Sequence, residues 1–413
     1  MRNQILGDIK MSRSLKIRIM VLITILFVIL FGIYKYISTA PVLSLSVSTD
    51  GRYVISAHAA EDVDRHKPIG QLVLWDIEKK EKTILARNAN AFSAFFIPDS
   101  HEFMWQDNKN IVHIQNVEGK EIENFPHFQV KTHIMSADKQ FYLSSNMEDN
   151  GQLYKGYGKD LEPVYTDGGI PFPLTLSMTK DYFLSATETC TTSPYPVADT
   201  NLTINPVNPD SSKRSSYTGV TLWDRYTLKP VARLYGNCGY TTGLISPNGD
   251  WVVTGGENFG NFMWEVNNLN NRQNLAHVND VFYRSNEKEL QEYKRKALPK
   301  PHKFKDKQIT LNHTVAIAFV TDKDFILLGE SSSDDGFGDE LARLFTVGDP
   351  WFKAYVEIGN DPSISTNYYQ RNLSVSSSPK AHILVTGQAT GGGINVYKYH
   401  PEKMELEKIW VAD

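Results

Sequence analysis

Apolar and polar residues alternate along many short stretches of this chain after Pro41. The clearest stretch reads LSLSVSTDGRYVISAH from Leu43 and is followed by GQLVLWDI from Gly70. An alternation with a period of two residues predicts half-buried β-strands. The Asp50-Gly51 pair between two such runs predicts a hairpin turn. This part of the chain therefore reads as strand, turn, strand, with further strands following.

The same unit recurs along the rest of the chain. A second clear copy reads TGLISPNGDWVVTGG from Thr242 and then NFMWEV from Asn261, with Asn248-Gly249 at its turn. Five weaker copies begin at Phe92, Val130, Leu174, Val315 and Leu373. Repeats of about 40–45 residues built from four strands are typical of β-propellers. The pattern therefore predicts an all-β, seven-bladed propeller over residues 41–413.

The two clear copies resemble WD repeats. The dipeptide that gives those repeats their name is present at Trp75-Asp76 and Trp223-Asp224. A third tryptophan, Trp264, is followed by Glu265, and only His313 lies near the position of the family's Gly-His pair. The resemblance implies a buried Ser–His–Asp–Trp hydrogen-bond tetrad in each blade, and these departures leave it incomplete everywhere. We expect the tryptophans to pack between neighbouring blades.

A different pattern precedes the repeats. Residues Ile19–Tyr34 form an uncharged, apolar run between Arg18 and Lys35. As a helix this run spans roughly 24 Å, and snorkelling of the flanking cations extends it. Four further basic residues precede Arg18 against one acid, and such an excess keeps an N-terminus in the cytoplasm. We therefore predict a basic cytoplasmic segment at 1–18 and a single transmembrane signal-anchor at 19–37.

The propeller is then expected on the non-cytoplasmic side, in the periplasm if the cell is Gram-negative. A cleaved leader is the alternative, because Ser38 and Ala40 offer a small-x-small cleavage site. Pro41 would follow that cut and disfavours it, and the apolar run is slightly long for a leader. The pattern favours a retained anchor over a secreted propeller.

Composition narrows the partners and the redox state. The chain of 413 residues has 41% hydrophobic residues, 22% charged residues and a net charge of −4, so no attraction to nucleic acid is implied. Its two cysteines would lie in an oxidising compartment. Cys190 and Cys238 follow strands that end on the same face of the same predicted blade. We predict a disulfide between them, with a pair of free thiols as the alternative.

The insertions between strands share one side of the predicted propeller. Four of them separate a second strand from a third, and the fifth leads from one blade into the next. These five are Ala59–Pro68, 188–219, 267–312, Glu330–Glu340 and Gln388–Gly393. Because strands alternate in direction, all five emerge on one face, where function concentrates on loops. We predict that this face binds a protein partner, although insertions also accumulate without function.

The insertion at 267–312 contains a basic helical pattern. Asn286 and Glu289 form a capping signal, and Pro299 ends the pattern. Nine Lys or Arg residues against four acids lie between Arg284 and Lys307, a net charge of +5. The candidate partner-binding residues are Lys294, Arg295, Lys296, Lys300 and Lys303. Such a patch suits anionic headgroups, an acidic protein or another polyanion, whereas a solvated helix needs no partner.

Catalytic and metal-binding motifs are missing from the sequence. An acidic loop at Asp334–Glu340 does not have the spacing of an EF-hand. The stretch Ala57–His66, with two histidines and three acids, is the best local candidate for a site, but a solvated loop is the favoured interpretation. No cofactor or metal is expected, and a non-enzymatic role is favoured. The function predicted is a membrane-tethered interaction scaffold in the cell envelope. The alternatives are an envelope enzyme or a small-ligand binder that uses the central channel.

Overall fold

The structure is a computed structural model. It describes residues 18–28, 40–59, 69–146, 150–164, 170–171, 173–187, 203–204, 220–234, 238–258, 261–275, 311–331, 341–357, 375–388 and 392–412. These residues form seven separate sheets, and each sheet packs beside the next one around a common axis, with the last sheet beside the first. The predicted seven-bladed, all-β propeller is confirmed.

Each blade is one sheet of four main strands that follow one another along the chain, and blades 3 and 4 each have one short extra strand. Blade 1 contains β1 (Val42–Val47), β2 (Tyr53–His58), β3 (Ile69–Asp76) and β4 (Glu81–Asn90). Blade 2 contains β5 (Phe95–Phe96), β6 (Glu102–Gln106), β7 (Ile111–Asn116) and β8 (Glu121–Pro126). Blade 3 contains β9 (Val130–Met135), β10 (Phe141–Asn146), β11 (Asn150–Lys155), a 3-10 turn at Gly158–Asp160, β12 (Glu162–Val164) and β13 (Ile170–Pro171).

The remaining blades follow the same plan. Blade 4 has four main strands, β14 (Pro173–Met178), β15 (Tyr182–Thr187), β17 (Val220–Asp224) and β18 (Pro230–Leu234). The short strand β16 (Thr203–Ile204) lies within the insertion at 188–219 and pairs parallel to β18 at the outer edge. Blade 5 contains β19 (Cys238–Ile245), β20 (Trp251–Asn258), β21 (Asn261–Glu265) and β22 (Asn268–Leu275). Blade 6 contains β23 (Leu311–Phe319), β24 (Asp324–Ser331), β25 (Leu341–Thr346) and β26 (Asp349–Glu357). Blade 7 contains β27 (Val375–Ser378), β28 (Ile383–Gly387), β29 (Ile394–His400) and β30 (Glu405–Ala412).

Tight turns join the first two strands of the clear repeats, as the sequence predicts. Gly51 has φ +73° and Gly249 has φ +82°, a left-handed conformation that glycine adopts without strain. At Gly51 a side chain would also collide, because an added Cβ would lie 2.4 Å from the Cβ of Ala381 in blade 7. This glycine therefore serves both the turn and the contact between two blades.

The first strands of neighbouring blades run side by side in the same direction. The Ala94 and Phe96 N–H groups of blade 2 donate to the hydroxyls of Ser44 and Ser46 in blade 1, at 3.2 Å and 3.0 Å. The two pairs keep the same separation along the chain, which only parallel strands do. The first strands therefore all begin on one face of the ring. The turns that follow these first strands lie on the other face.

The core lies between blades, and the tryptophans occupy it as expected. Trp75 packs with residues of blade 7, Trp223 with residues of blade 3 and Trp264 with residues of blade 4. Each of these side chains is at most 1% exposed. Each tryptophan lies on the third strand of its blade and covers the preceding blade, so burial of these large rings holds successive blades together.

The ring closes where blade 7 meets blade 1. Both blades form their four strands from continuous stretches of chain, so the described strands close the ring without exchanging a strand. The joint is a shared apolar cluster that includes Val54 and Trp75 from blade 1 and Val385 and Val396 from blade 7. Closure therefore depends on side-chain burial rather than on a strand ladder.

One further element precedes the propeller. Residues 18–28 form a helix, and its large apolar side chains are exposed on every side, among them Met20 (66%), Leu22 (69%), Phe27 (66%) and Val28 (62%). Among the residues described, none of the helices combines the length and apolar character needed to cross a bilayer.

Candidate functional site

The central channel is the first candidate, because the first strands of most blades line a cavity of about 460 Å³ along the axis. Its wall is rich in hydroxyl groups, from Ser44, Ser46, Thr175, Ser177, Ser376 and Ser377. Several of these hydroxyls already bond to the next blade. Ser177 accepts from the Ile245 N–H at 3.1 Å, and Ser376 accepts from the Val47 N–H at 3.2 Å. The hydroxyls of the wall therefore fasten adjacent first strands to one another.

Two titratable side chains, Lys131 and His133, are among the described residues that line this channel. His133 is the one histidine among the described lining residues, and no described lining residue is a carboxylate. Both of its ring nitrogens are bonded, Nδ1 to the Tyr142 hydroxyl at 2.9 Å and Nε2 to the Ser93 carbonyl at 2.8 Å. Burial lowers the pKa of His133 to about 4, so the ring is neutral near pH 7. His133 is a structural side chain that joins blades 2 and 3.

Metal binding is equally unsupported in the described residues, where no three His, Cys, Asp or Glu side chains come together to hold a metal ion. The channel therefore presents neither paired carboxylates nor clustered histidines in the part of the chain that the structure covers. Those two arrangements support acid–base catalysis and metal coordination, respectively.

A hydrogen-bonded chain in blade 1 replaces part of the WD tetrad. The Trp75 Nε1–H donates to the Ser56 hydroxyl at 2.7 Å, and that hydroxyl lies 2.8 Å from His58 Nε2. His58 Nδ1 lies 3.4 Å from the Ala40 carbonyl. Burial lowers the pKa of His58 to about 4, so the neutral ring accepts at Nε2 and donates at Nδ1. This histidine sits at the end of β2 and not at the Gly-His position of the WD family.

Two other blades keep the tryptophan half of the tetrad. The Trp223 Nε1–H donates to the Ser185 hydroxyl at 3.2 Å, and the Trp264 Nε1–H donates to the Thr254 hydroxyl at 3.3 Å. The prediction that the tetrad is incomplete therefore stands, but sequence reasoning missed His58. Its place in the strand, two residues after Ser56, gave no family signal, and the loop that begins at this histidine was interpreted as solvated.

The second candidate is the face on which the insertions lie, here called the insertion-bearing face. Three insertions between second and third strands run from Ala59 to Pro68, from 188 to 219 and from Gln388 to Gly393, and the described strands end and begin at the adjoining residues. The fourth is two residues shorter than the predicted Glu330–Glu340, because β24 extends to Ser331 and β25 begins at Leu341. The fifth is shorter than the predicted 267–312, because β22 and β23 occupy both ends of that range and leave residues 276–310 between them.

These insertions belong to blades 4, 5, 6, 7 and 1, which are consecutive around the ring. Blade 2 instead has a tight turn between β6 and β7, in which the Asp107 carboxylate accepts from the Lys109 and Ile111 N–H groups, both at 2.9 Å. The elaborated part of the face is therefore one continuous sector, with blades 2 and 3 outside it.

A buried amide network fastens the same face at blades 1 to 3, and sequence reasoning missed it. The Asn90 side-chain amide donates to Gln106 Oε1 at 3.1 Å, and the Val130 N–H donates to that oxygen at 3.0 Å. The Gln106 N–H donates to the Ser93 hydroxyl at 2.8 Å. Asn90 and Gln106 are 1% and 0% exposed. Asn and Gln side chains at the ends of strands are usually exposed, so the sequence gives no sign of this buried network.

The opposite face, here called the turn face, is compact. Its first turns repeat one arrangement, in which the hydroxyls of Ser48 and Ser136 donate to Asp50 and Asp138, both at 2.6 Å. An ion pair also joins two blades there, because Arg225 Nη2 lies 2.7 Å from Asp138 Oδ2 and the Arg225 side chain is only 4% exposed. The turn face is thus made of short turns that hydrogen bonds hold in place.

The sequence-predicted site residues fall mainly outside the described part of the chain. Lys294, Arg295, Lys296, Lys300 and Lys303 all lie in 276–310, Asp334–Glu340 lies in the fourth insertion, and Cys190 lies in the insertion at 188–219. Cys238 begins β19. The predicted basic surface and the predicted disulfide therefore stay predictions.

Comparison with known proteins agrees with the fold. No protein-family model matches the chain, and no curated protein matches it either. The propeller of Cps50 (Swd1) from Myceliophteria thermophila matches with a TM-score of 0.53 and 10% identity, over 87% of this chain and 97% of that one. Hsv2 of Kluyveromyces lactis with loop 6CD replaced by a Gly-Ser linker matches with a TM-score of 0.50 and 10% identity, over 91% and 99%.

At such low identity these similarities show the fold alone. The full length of each of these propellers aligns with most of this chain. The chain is a seven-bladed β-propeller.

Proposed function

We propose that this protein is a membrane-tethered β-propeller that binds a protein partner through its insertion-bearing face. The observation that carries the proposal is the difference between the two faces. Short, hydrogen-bonded turns form one face, whereas five insertions in consecutive blades emerge on the other. Long connections on a rigid scaffold are where propellers and other repeat folds place their binding residues.

The channel supports a scaffold better than an enzyme. Its described wall contains no carboxylate, its histidine has both nitrogens bonded, and its hydroxyls join adjacent strands. The alternative functions that need a reactive channel therefore have no described residues in their favour.

The tether is supported by the helix at 18–28. Apolar side chains exposed around a whole helix need an apolar environment that water does not provide, and a lipid bilayer is such an environment. The apolar run continues in sequence to Tyr34, and basic residues precede it. In this proposal the anchor covers residues 19–37, residues 1–18 stay in the cytoplasm, and the propeller lies on the other side of the membrane.

The docking face is tested by reversing charge on each face in turn. One variant carries Lys294→Glu, Arg295→Glu and Lys296→Glu, in the predicted basic helix. The matched control carries Lys229→Glu, Lys323→Glu and Lys403→Glu, three exposed lysines in turns of the turn face. Both variants change the charge equally, so a general effect of charge cancels. The partner is fixed by crosslinking in cells, co-purified in detergent and quantified by mass spectrometry.

We expect the first variant to lose the partner and the control to retain it, because a basic surface attracts an acidic partner over about a Debye length of 8 Å in ordinary salt. Thermal unfolding of both variants should match that of the unaltered protein. Loss of the partner from both variants, or from neither, would contradict this docking face. The mass of the mature N-terminus separates the tethered protein from a secreted one with a cleaved leader.

A further inference from the structure

The chain enters the propeller on the insertion-bearing face, between two insertions. The Ala59 N–H donates to the Pro41 carbonyl at 3.3 Å. The Val42 N–H donates to the Gln388 carbonyl at 3.2 Å. Ala59 and Gln388 are the first residues of the first and last insertions. The start of the propeller is therefore fixed at a known place on this face, at the joint of blades 1 and 7.

That place is near the centre of the face and not at its rim. β1 is the innermost strand of blade 1, and its residues Leu43–Ser46 line the central channel. Lys35 is the first charged residue after the apolar run, and it precedes Ala40 by five residues. Five residues reach at most about 18 Å when fully extended.

The turn face cannot approach the bilayer on so short a connection. β7 has six residues, so the two faces are at least about 20 Å apart at about 3.3 Å per residue. From the innermost strand to the outer edge of a blade, four strands add about 15 Å. A path from the centre of the insertion-bearing face around the rim to the turn face is therefore about 35 Å, twice what the connection reaches.

We infer that the insertion-bearing face is turned towards the bilayer, with the phospholipid headgroup layer as the surface it meets. This inference rests on the anchor in the proposed function. It restricts the partner as well, because a protein that reaches this face must come from within or along the same membrane. The turn face points away from the bilayer into the aqueous compartment.

The test measures how far two ends of one strand lie from the lipid surface. p-Azidophenylalanine replaces Lys109 or Glu118, exposed residues that flank β7 on the insertion-bearing face and the turn face. The full-length protein is reconstituted into phospholipid vesicles with both native cysteines retained. A donor dye is attached to the azide, and energy transfer is measured to an acceptor dye on the lipid headgroups.

The inference predicts severalfold faster energy transfer from position 109 than from position 118, because transfer to a surface falls steeply with distance. If the protein remains in the vesicles, equal transfer from both positions, or faster transfer from position 118, would overturn the inference. Alkaline carbonate washing checks the premise separately. Release of the protein by that wash would overturn the anchor itself, and the inference with it.

Discussion

The ion pair between Asp138 and Arg225 gives a quantitative test of how neighbouring blades are held. It joins the first turn of blade 3 to a turn of blade 4 on the turn face, at 2.7 Å. Arg225 also donates through Nη1 to the Thr179 carbonyl at 3.3 Å, and its guanidinium lies 5.0 Å from the centre of the Phe141 ring. The substitution Asp138→Ala removes the carboxylate and leaves the buried guanidinium without its anion.

The expected cost follows from the burial of the two side chains. Breaking a fully buried ion pair by removing one partner costs about 3–5 kcal/mol. The Asp138 side chain is 40% exposed, so water screens part of this interaction. We expect Asp138→Ala to lower the free energy of unfolding by about 2 kcal/mol. For about 370 residues at about 2.1 cal/mol/K each, that is a decrease in Tm of about 3 °C.

Thermal unfolding followed by circular dichroism measures this change, with Asp50→Ala as the matched control. Asp50 accepts the same turn hydrogen bonds in blade 1, from the Ser48 hydroxyl and the Arg52 N–H, but the side chain it pairs with, His101, is half exposed. A second variant, Asp138→Ala with Arg225→Met, should recover part of the loss, since it leaves no buried charge. A decrease in Tm for Asp138→Ala as small as that for Asp50→Ala would refute the reasoning.

The same pair predicts a dependence on pH. Burial raises the pKa of Asp138, but hydrogen bonds from Ser136 and the Gln140 N–H and the pairing with Arg225 outweigh it and hold the pKa below 3.8. A carboxyl group whose pKa is lower in the folded state than in the unfolded state stabilises the protein at pH values above its unfolded-state pKa. This stabilisation is lost as the pH falls through the folded-state pKa. The difference in stability between the unaltered protein and Asp138→Ala should therefore narrow as the pH falls below 3.8.

Three further predictions concern other parts of the chain. His58 and His133 have pKa values of about 4 against 6.5 unfolded, so stability in urea should fall as pH drops from 6.5 towards 4; equal stability across that range would contradict their burial. Non-reducing digestion should yield a linked peptide pair with Cys190 and Cys238, and complete alkylation of both thiols without reductant would exclude the bridge. A reporter active only in the cytoplasm, fused after Asp413, should give no signal, whereas a signal would reverse the predicted orientation.

The fold was predictable because its signals are local. The Asp50-Gly51 and Asn248-Gly249 turns and the alternating runs beside them mark hairpins, and their recurrence marks blades. The burial of Trp75 followed from its size and its place at the end of a third strand. Such features depend on a few neighbouring residues, so a single sequence is enough to predict them.

The polar contacts between blades were not predictable, because they join residues far apart in the chain. Asp138 reads as one more turn residue until the fold places Arg225 beside it, at a separation of 87 residues. A charge change at Asp138 would therefore disturb folding. Asp138 is for this reason unsuitable as a turn-face control in the test of partner binding, although its position in a turn suggests an exposed, neutral site. His58 likewise belongs to the core through Ser56 and Trp75, and its sequence context suggested an exposed loop.

The central claim is that the insertion-bearing face carries the partner and the turn face does not. Photocrosslinking in living cells tests it most directly, with p-benzoylphenylalanine placed singly at Asp64, Asn201 or Asp335 in three insertions, and at Lys229, Lys323 or Lys403 in turns of the turn face. The account predicts a crosslinked adduct of the same protein from positions in the insertions and none from the turn face. Adducts that form from the turn face, with none from the insertions, would contradict it.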